Sequence, residues 1–119
     1  MRKKLFLLVI MSLFICVLVG NVALGEEEKI SIAYIGASTD LPFWITLRNE
    51  ARNRANELGV EFIDLTPPSM DAQAQKNSFD NAIQMGVSGI IIGAADSRAF
   101  DDSLDKASEV GIPVVAVDT

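Results

Sequence analysis

Histidine is absent from these 119 residues, and cysteine occurs once, at Cys16. Without histidine there is no His-based triad, no His–Cys nucleophile pair and none of the usual zinc ligand sets. One cysteine excludes an internal disulfide and a thiolate metal site. Basic residues are also scarce: 10 Lys and Arg stand against 16 Asp and Glu. Three of those bases, Arg2, Lys3 and Lys4, lie at the very start, so the remainder holds 16 acids and 7 bases, a net charge of −9. That balance, with no basic patch, argues against nucleic acid as a partner. It suits solubility in an extracytoplasmic space.

What is present begins with a leader. The cationic Arg2-Lys3-Lys4 is followed by an apolar run from Leu5 to Val19, broken only by Ser12, and then by Gly20-Asn21 and Ala23-Leu24-Gly25. A charged head, an apolar middle and a small-x-small end read as a cleavable secretory signal peptide spanning residues 1–25. The apolar run is shorter than the ~20 residues a membrane-spanning helix needs. Ile15 rather than a small residue precedes Cys16, which disfavours a lipoprotein. The mature part, residues 26–119, has the length of one small domain at most.

Its rhythm alternates. Lys29–Ile35, Val60–Leu65 with its clean alternation, Gly89–Ile92 and Ile112–Val117 read as strands, and the continuous β-branched runs suit a parallel sheet buried on both faces. Between them, apolar residues recur at helical spacing: Trp44, Leu47, Ala51, Ala55 and Leu58, then Ala72, Phe79, Ala82 and Ile83, then Phe100, Leu104, Ala107 and Val110. Asp40, Ser69 and Asp96 stand where helix N-caps are wanted. Gly59, Gly86 and Gly111 each close a helical stripe, where a left-handed residue is cheapest as glycine. The order β-α-β-α-β-α-β with right-handed crossovers predicts an α/β fold: a three-layer αβα, doubly wound parallel sheet of strand order 2-1-3-4.

In such sheets ligands bind outside the carboxyl ends of the strands, at the switch point. That rule selects residues 36–44, 66–69, 93–96 and 118–119. The first segment, Gly36-Ala37-Ser38-Thr39-Asp40-Leu41-Pro42-Phe43-Trp44, is neither a dinucleotide fingerprint nor a P-loop, and no cofactor is implied. It sets two adjacent aromatics beside the crevice. Aromatic faces suit the C–H faces of a sugar ring, and Trp adds a polar handle; packing in the core is the competing role for Phe43 and Trp44. Asp118 ends the fourth strand, where a carboxylate can accept from two neighbouring hydroxyls or act as a loop aspartate. Asp96 and Asp40 are candidates for the same rim, each with helix capping as the simpler role. Pro67-Pro68 reads as a stiff extended loop, and Arg48, Arg52 and Arg54 as a solvated helix face.

These segments together resemble the periplasmic sugar-binding proteins of the ribose-binding type, the substrate-binding components of ABC transporters. The resemblance rests on the leader, on Asp40-Leu41-Pro42-Phe43-Trp44 in place of the family's Asn-Pro-Phe-aromatic turn, on Glu57-Leu58-Gly59-Val60, on residues 82–92, and on Gly111-Ile112-Pro113-Val114-Val115-Ala116-Val117-Asp118. It implies that residues 26–119 form part of an amino-terminal lobe. It implies that Phe43 and Trp44 sandwich a sugar, that Asp118 accepts from sugar hydroxyls, and that a membrane permease receives the closed form. Leu41 and Thr119 stand where pentose binders often carry asparagine and arginine, which points away from ribose itself toward another sugar, a cyclitol or another small polar signal.

The family's length, two to three times this one, makes an incomplete lobe the expectation. A sensor that hands its ligand-bound form to a histidine kinase or chemoreceptor is the alternative on the same fold. A flavodoxin- or response-regulator-type enzyme is disfavoured because Asp40 and Asp96 lie too far past their strands, and a LacI-type effector domain because a leader stands in place of DNA-binding helices.

Overall fold

A computed structural model describes residues 28–118, together with Met1. The leader with Cys16, and Thr119, lie outside the described residues. The element order is β1 (Ser31–Ile35), α1 (Pro42–Glu57), β2 (Glu61–Asp64), α2 (Ala72–Met85), β3 (Gly89–Ile92), a 3-10 turn (Ser97–Phe100), α3 (Asp101–Glu109) and β4 (Val114–Ala116). All strand pairs are parallel and the sheet order is β2-β1-β3-β4, the predicted doubly wound arrangement. Register places Ser31 opposite Glu61, Ile32 opposite Gly89 and Ile90 opposite Val114. Backbone bonds carry the ladders one residue further, with the Leu65 N–H donating to the Tyr34 carbonyl and the Val117 N–H to the Ile92 carbonyl, both at 2.9 Å.

Alternation along the strands builds two layers of packing. Ala33 and Ile35 of β1, with Ile90 and Ile92 of β3, face α2 and α3 and meet Phe79, Ala82, Phe100 and Ala107, all buried. Each fully buried large apolar side chain there contributes about 1.5–3 kcal/mol. Ile32, Tyr34, Phe62 and Ile91 face the other way, toward α1. There Ala55 is buried, but Leu58 is exposed, ending its stripe beside an apolar groove at the amino ends of β1 and β2. On that same face, at the opposite edge of the described sheet, Val115 is exposed beside its register partner Ile91, and β4 is a three-residue edge strand preceded by Pro113.

Helix termini follow the sequence reading at one end and depart from it at the other. Gly59, Gly86 and Gly111 have φ of 69°, 67° and 75°, the left-handed conformation that their position after each helix demands. Of the expected N-caps, Asp96 holds: its carboxylate accepts from the Arg98 N–H at 3.1 Å, although it caps the 3-10 turn rather than α3 itself. Ser69 does not cap α2. The chain bends at Pro68 and Ser69 instead and starts the helix later, where Asp71 accepts from the N–H groups of Gln73 and Ala74 at 2.8 and 3.0 Å. Asp40 does not cap α1, because Pro42 opens the helix and leaves Leu41, which has no side-chain acceptor, at the cap position. The Asp40 carboxylate is turned back to the Ser38 hydroxyl.

The arginines of α1 are not all solvated. Arg48 lies across the sheet with its Nε buried 3.6 Å from Asp64 Oδ2, and Arg52 reaches the same oxygen at 3.3 Å while covering the Phe62 ring at 5.2 Å. Arg54 alone matches expectation, exposed and paired with Glu57.

Beneath them the Tyr34 ring stacks on Phe62 with its hydroxyl buried and unpartnered. Burial pushes the Tyr34 phenol above its ordinary value of 10.0, the Asp64 carboxylate adds to this, and the Arg48 guanidinium opposes it. The fold holds the phenol neutral where the unfolded chain would ionise it. Its ionisation therefore costs the fold nothing below about pH 10, and stability falls as pH rises from there through the folded value. Tyr34→Phe is expected to leave neutral-pH stability unchanged or raise it by up to about 1 kcal/mol, since it removes an unpaired buried hydroxyl. Its advantage over wild type should then widen above about pH 10. Melting curves across that range test this, and parallel pH profiles for the two proteins would contradict it.

Candidate functional site at the switch point

The carboxyl ends of the strands converge as the α/β rule requires. At the end of β1 the Gly36 N–H donates to the Thr66 hydroxyl at 2.9 Å, drawing the loop after β2 alongside, and the Thr39 hydroxyl donates to the Pro68 carbonyl at 3.2 Å. On the other flank the Gly93 N–H donates to the Ile35 carbonyl at 2.9 Å. β1 and β3 are the neighbours between which the chain reverses its winding direction, so the crevice opens between Gly36 and Gly93.

One buried side chain ties the two flanks together. Gln75, on the first turn of α2, is fully buried. Its Nε2 donates to the carbonyls of both Gly36 and Gly93 at 2.8 Å, and its Oε1 accepts from the Ala95 N–H at 2.8 Å. Sequence reading passed over this residue. A signal was there: 72, 75, 79 and 82 have the spacing of one helix face, so a glutamine stands within the apolar stripe.

The aromatic pair divides its roles. Trp44 is 6 % exposed and its six-membered ring lies directly on Gly93, where an added β-carbon would overlap it. Phe43 is 55 % exposed and meets Trp44 edge to face, with centroids 5.1 Å apart and planes at 82°. Neighbouring positions at a helix start cannot share one face. Here the indole forms the floor over β3 and the phenyl ring stands at the rim.

Asp118 lies at the carboxyl end of β4, just past the Val117 bond to Ile92, and it is exposed with a φ of 53°. Strands β3 and β4 are adjacent, about 5 Å apart, so the Asp118 backbone leaves the sheet one strand over from the Trp44 floor. Asp40 and Asp96 are exposed on the loops after β1 and β3. Each uses its Oδ1 locally, Asp40 on the Ser38 hydroxyl and Asp96 on the Arg98 N–H. No group of three or more His, Cys, Asp or Glu with metal-binding geometry occurs among the described residues. Phe43, Trp44, Asp96 and Asp118 therefore all sit on the same end of the sheet, and Asp40 on the loop leading to the aromatics.

Comparison with known proteins agrees with this architecture. The chain is 27 % identical over 94 residues to the ribose import binding protein of Bacillus subtilis, covering 79 % of this chain and 30 % of that protein. It is 26 % identical over 98 residues to the ribose import binding protein of Escherichia coli, covering 82 % and 33 %. It thus spans about a third of the length of these relatives. Among solved structures, an ABC transporter periplasmic solute-binding protein from Actinobacillus succinogenes with bound D-allose superposes with a TM-score of 0.73 at 25 % identity, covering 76 % of this chain and 32 % of that one. A periplasmic sugar-binding protein from Legionella pneumophila superposes with a TM-score of 0.72 at 33 % identity, covering 76 % and 34 %. The family model for the periplasmic binding protein domain matches residues 32–119, and the chain belongs to that family.

Proposed function

We propose that this chain contributes part of the amino-terminal lobe of an exported solute-binding protein that captures a monosaccharide or cyclitol for the membrane permease of an ABC importer. The observation that carries the reading is the exposed Phe43 ring standing edge-on to a Trp44 floor at the switch point of the sheet. A flat, C–H-rich face fits against aromatic rings, while hydroxyls at the ring's edge suit a carboxylate such as Asp118. Asp40 and Asp96 are secondary candidates at the same rim. Relatives whose names specify ribose import, and a neighbour holding D-allose, support a sugar as cargo. The leader at residues 1–25 supports export to the periplasm or another extracytoplasmic space. A second lobe closing over the first would convert binding into a shape that a permease distinguishes.

The test uses the protein's own reporter. Trp44 is the sole tryptophan of these 119 residues, and the part of the emission change that disappears in Trp44→Phe reads this floor. Titrating the complete protein with a panel of monosaccharides and cyclitols should change Trp44 emission and raise the melting temperature for at least one of them. Phe43→Ala should weaken that binding roughly tenfold, in line with the worth of one aromatic contact. A panel that moves neither signal rejects the sugar reading.

A further inference from the structure

We infer that Gln75 is a positioning residue that holds the ligand rim in one geometry, rather than simply one more buried side chain of α2. The inference rests on the reading of the switch point as the binding site, but its geometry stands apart from any ligand. A single amide satisfies three backbone groups on two strands: the Gly36 carbonyl at the end of β1, the Gly93 carbonyl at the end of β3, and the Ala95 N–H two residues beyond. The amide carries two donors and an acceptor with two lone pairs, and this arrangement engages both donors and one lone pair. Gly36 begins the loop that leads to Phe43, and Gly93 is the seat of the Trp44 ring. The staple therefore sets both the spacing across the crevice and the height of its floor. A methionine would fill the same space and offer no comparable bond. A glutamate would keep an acceptor for Ala95 but turn an anion toward two carbonyls.

Amide exchange followed by NMR on the complete protein separates a local staple from general packing. In Gln75→Met the Ala95 amide, relieved of its acceptor, should exchange about tenfold faster or more, while the amides of Ala33 and Ile90 in the strand centres keep their protection. In Gln75→Glu the Ala95 amide should stay protected, and the loss should appear at the Gly93 amide as its strand end loosens. Unchanged protection at Ala95 in the methionine variant overturns the inference. So does a uniform rise at rim and core alike, or a loss of the fold in both variants, since either assigns Gln75 to global stability. D-allose titration is run alongside. A wild-type protein that ignores D-allose while Ala95 responds as expected counts against that sugar and leaves the staple standing; weaker D-allose binding in Gln75→Met with unchanged core exchange supports both.

Discussion

Gly93→Ala is expected to unseat Trp44 and abolish ligand binding. The effect is steric alone. Gly93 is not one of the left-handed glycines, so the backbone itself would accept alanine. The obstacle is the six-membered ring of Trp44, which occupies the space that a β-carbon needs. That ring is almost wholly buried against the strand end and packed edge-on by Phe43, so relief requires the whole indole to lift. Over-packing of this kind typically costs about 1–3 kcal/mol, and the displaced ring would project into the crevice. The expected results are a lower melting temperature, tryptophan emission shifted to the red as the indole meets water, and affinity reduced by roughly a hundredfold or more, since the floor and the space above it change together. Adding Trp44→Phe in the same chain, with a shorter ring, should recover the melting temperature. If Gly93→Ala melts and emits as wild type does, Trp44 does not rest on that glycine.

Asp118→Asn should produce the opposite pairing: affinity lost, fold spared. Asp118 has a φ of 53°, a conformation that Asn and Asp tolerate but that costs most other residues about 1–2 kcal/mol. Alanine would therefore mix a backbone penalty with the loss of the carboxylate, whereas asparagine removes the charge and little else. The side chain is exposed at the strand's end, so stability should stay within about 0.5 kcal/mol of wild type. A hydrogen bond from a neutral hydroxyl to a charged acceptor is worth about 1.5–3 kcal/mol, which sets the expected loss at roughly tenfold to a hundredfold in Kd. Calorimetric titration with whichever sugar the panel identifies gives the number. Equal affinity in the asparagine variant removes Asp118 from the site.

The fold was legible in the sequence because the signals were redundant. Four strand-like runs, three apolar stripes and three closing glycines all point to one alternation, and the crossover rule then leaves the order 2-1-3-4. Element ends were less legible because competing local chemistry decides them. A proline at the first helical position displaces Asp40 from its expected capping role, and a bend at Pro68 and Ser69 leaves the second cap to Asp71 rather than Ser69. Arg48 departs from a solvated helix face because a long side chain can lay its stem on apolar surface and bring its head to a carboxylate on a neighbouring strand, here Asp64 of β2. For the site, topology indicated which loops meet. The division of labour between Phe43 and Trp44 could not be read, since adjacent aromatics have no preferred order of burial until Gly93 provides a seat. Gln75 escaped notice because its partners are backbone atoms, which leave no trace in residue identity.

Among the described residues β4 forms one edge of the sheet, and its outer side bears on how further strands could add to it. A sheet edge offers backbone donors and acceptors to any passing strand, and neighbours can add to it without limit. Here that template is three residues long, and Pro113 turns its carbonyl inward to the Ile90 N–H at 3.0 Å, so it adds nothing to the outer ladder. An incoming strand would find too short a ladder to hold its register. Fibre-like growth is thus discouraged at the flank where Val115 leaves greasy surface in the open.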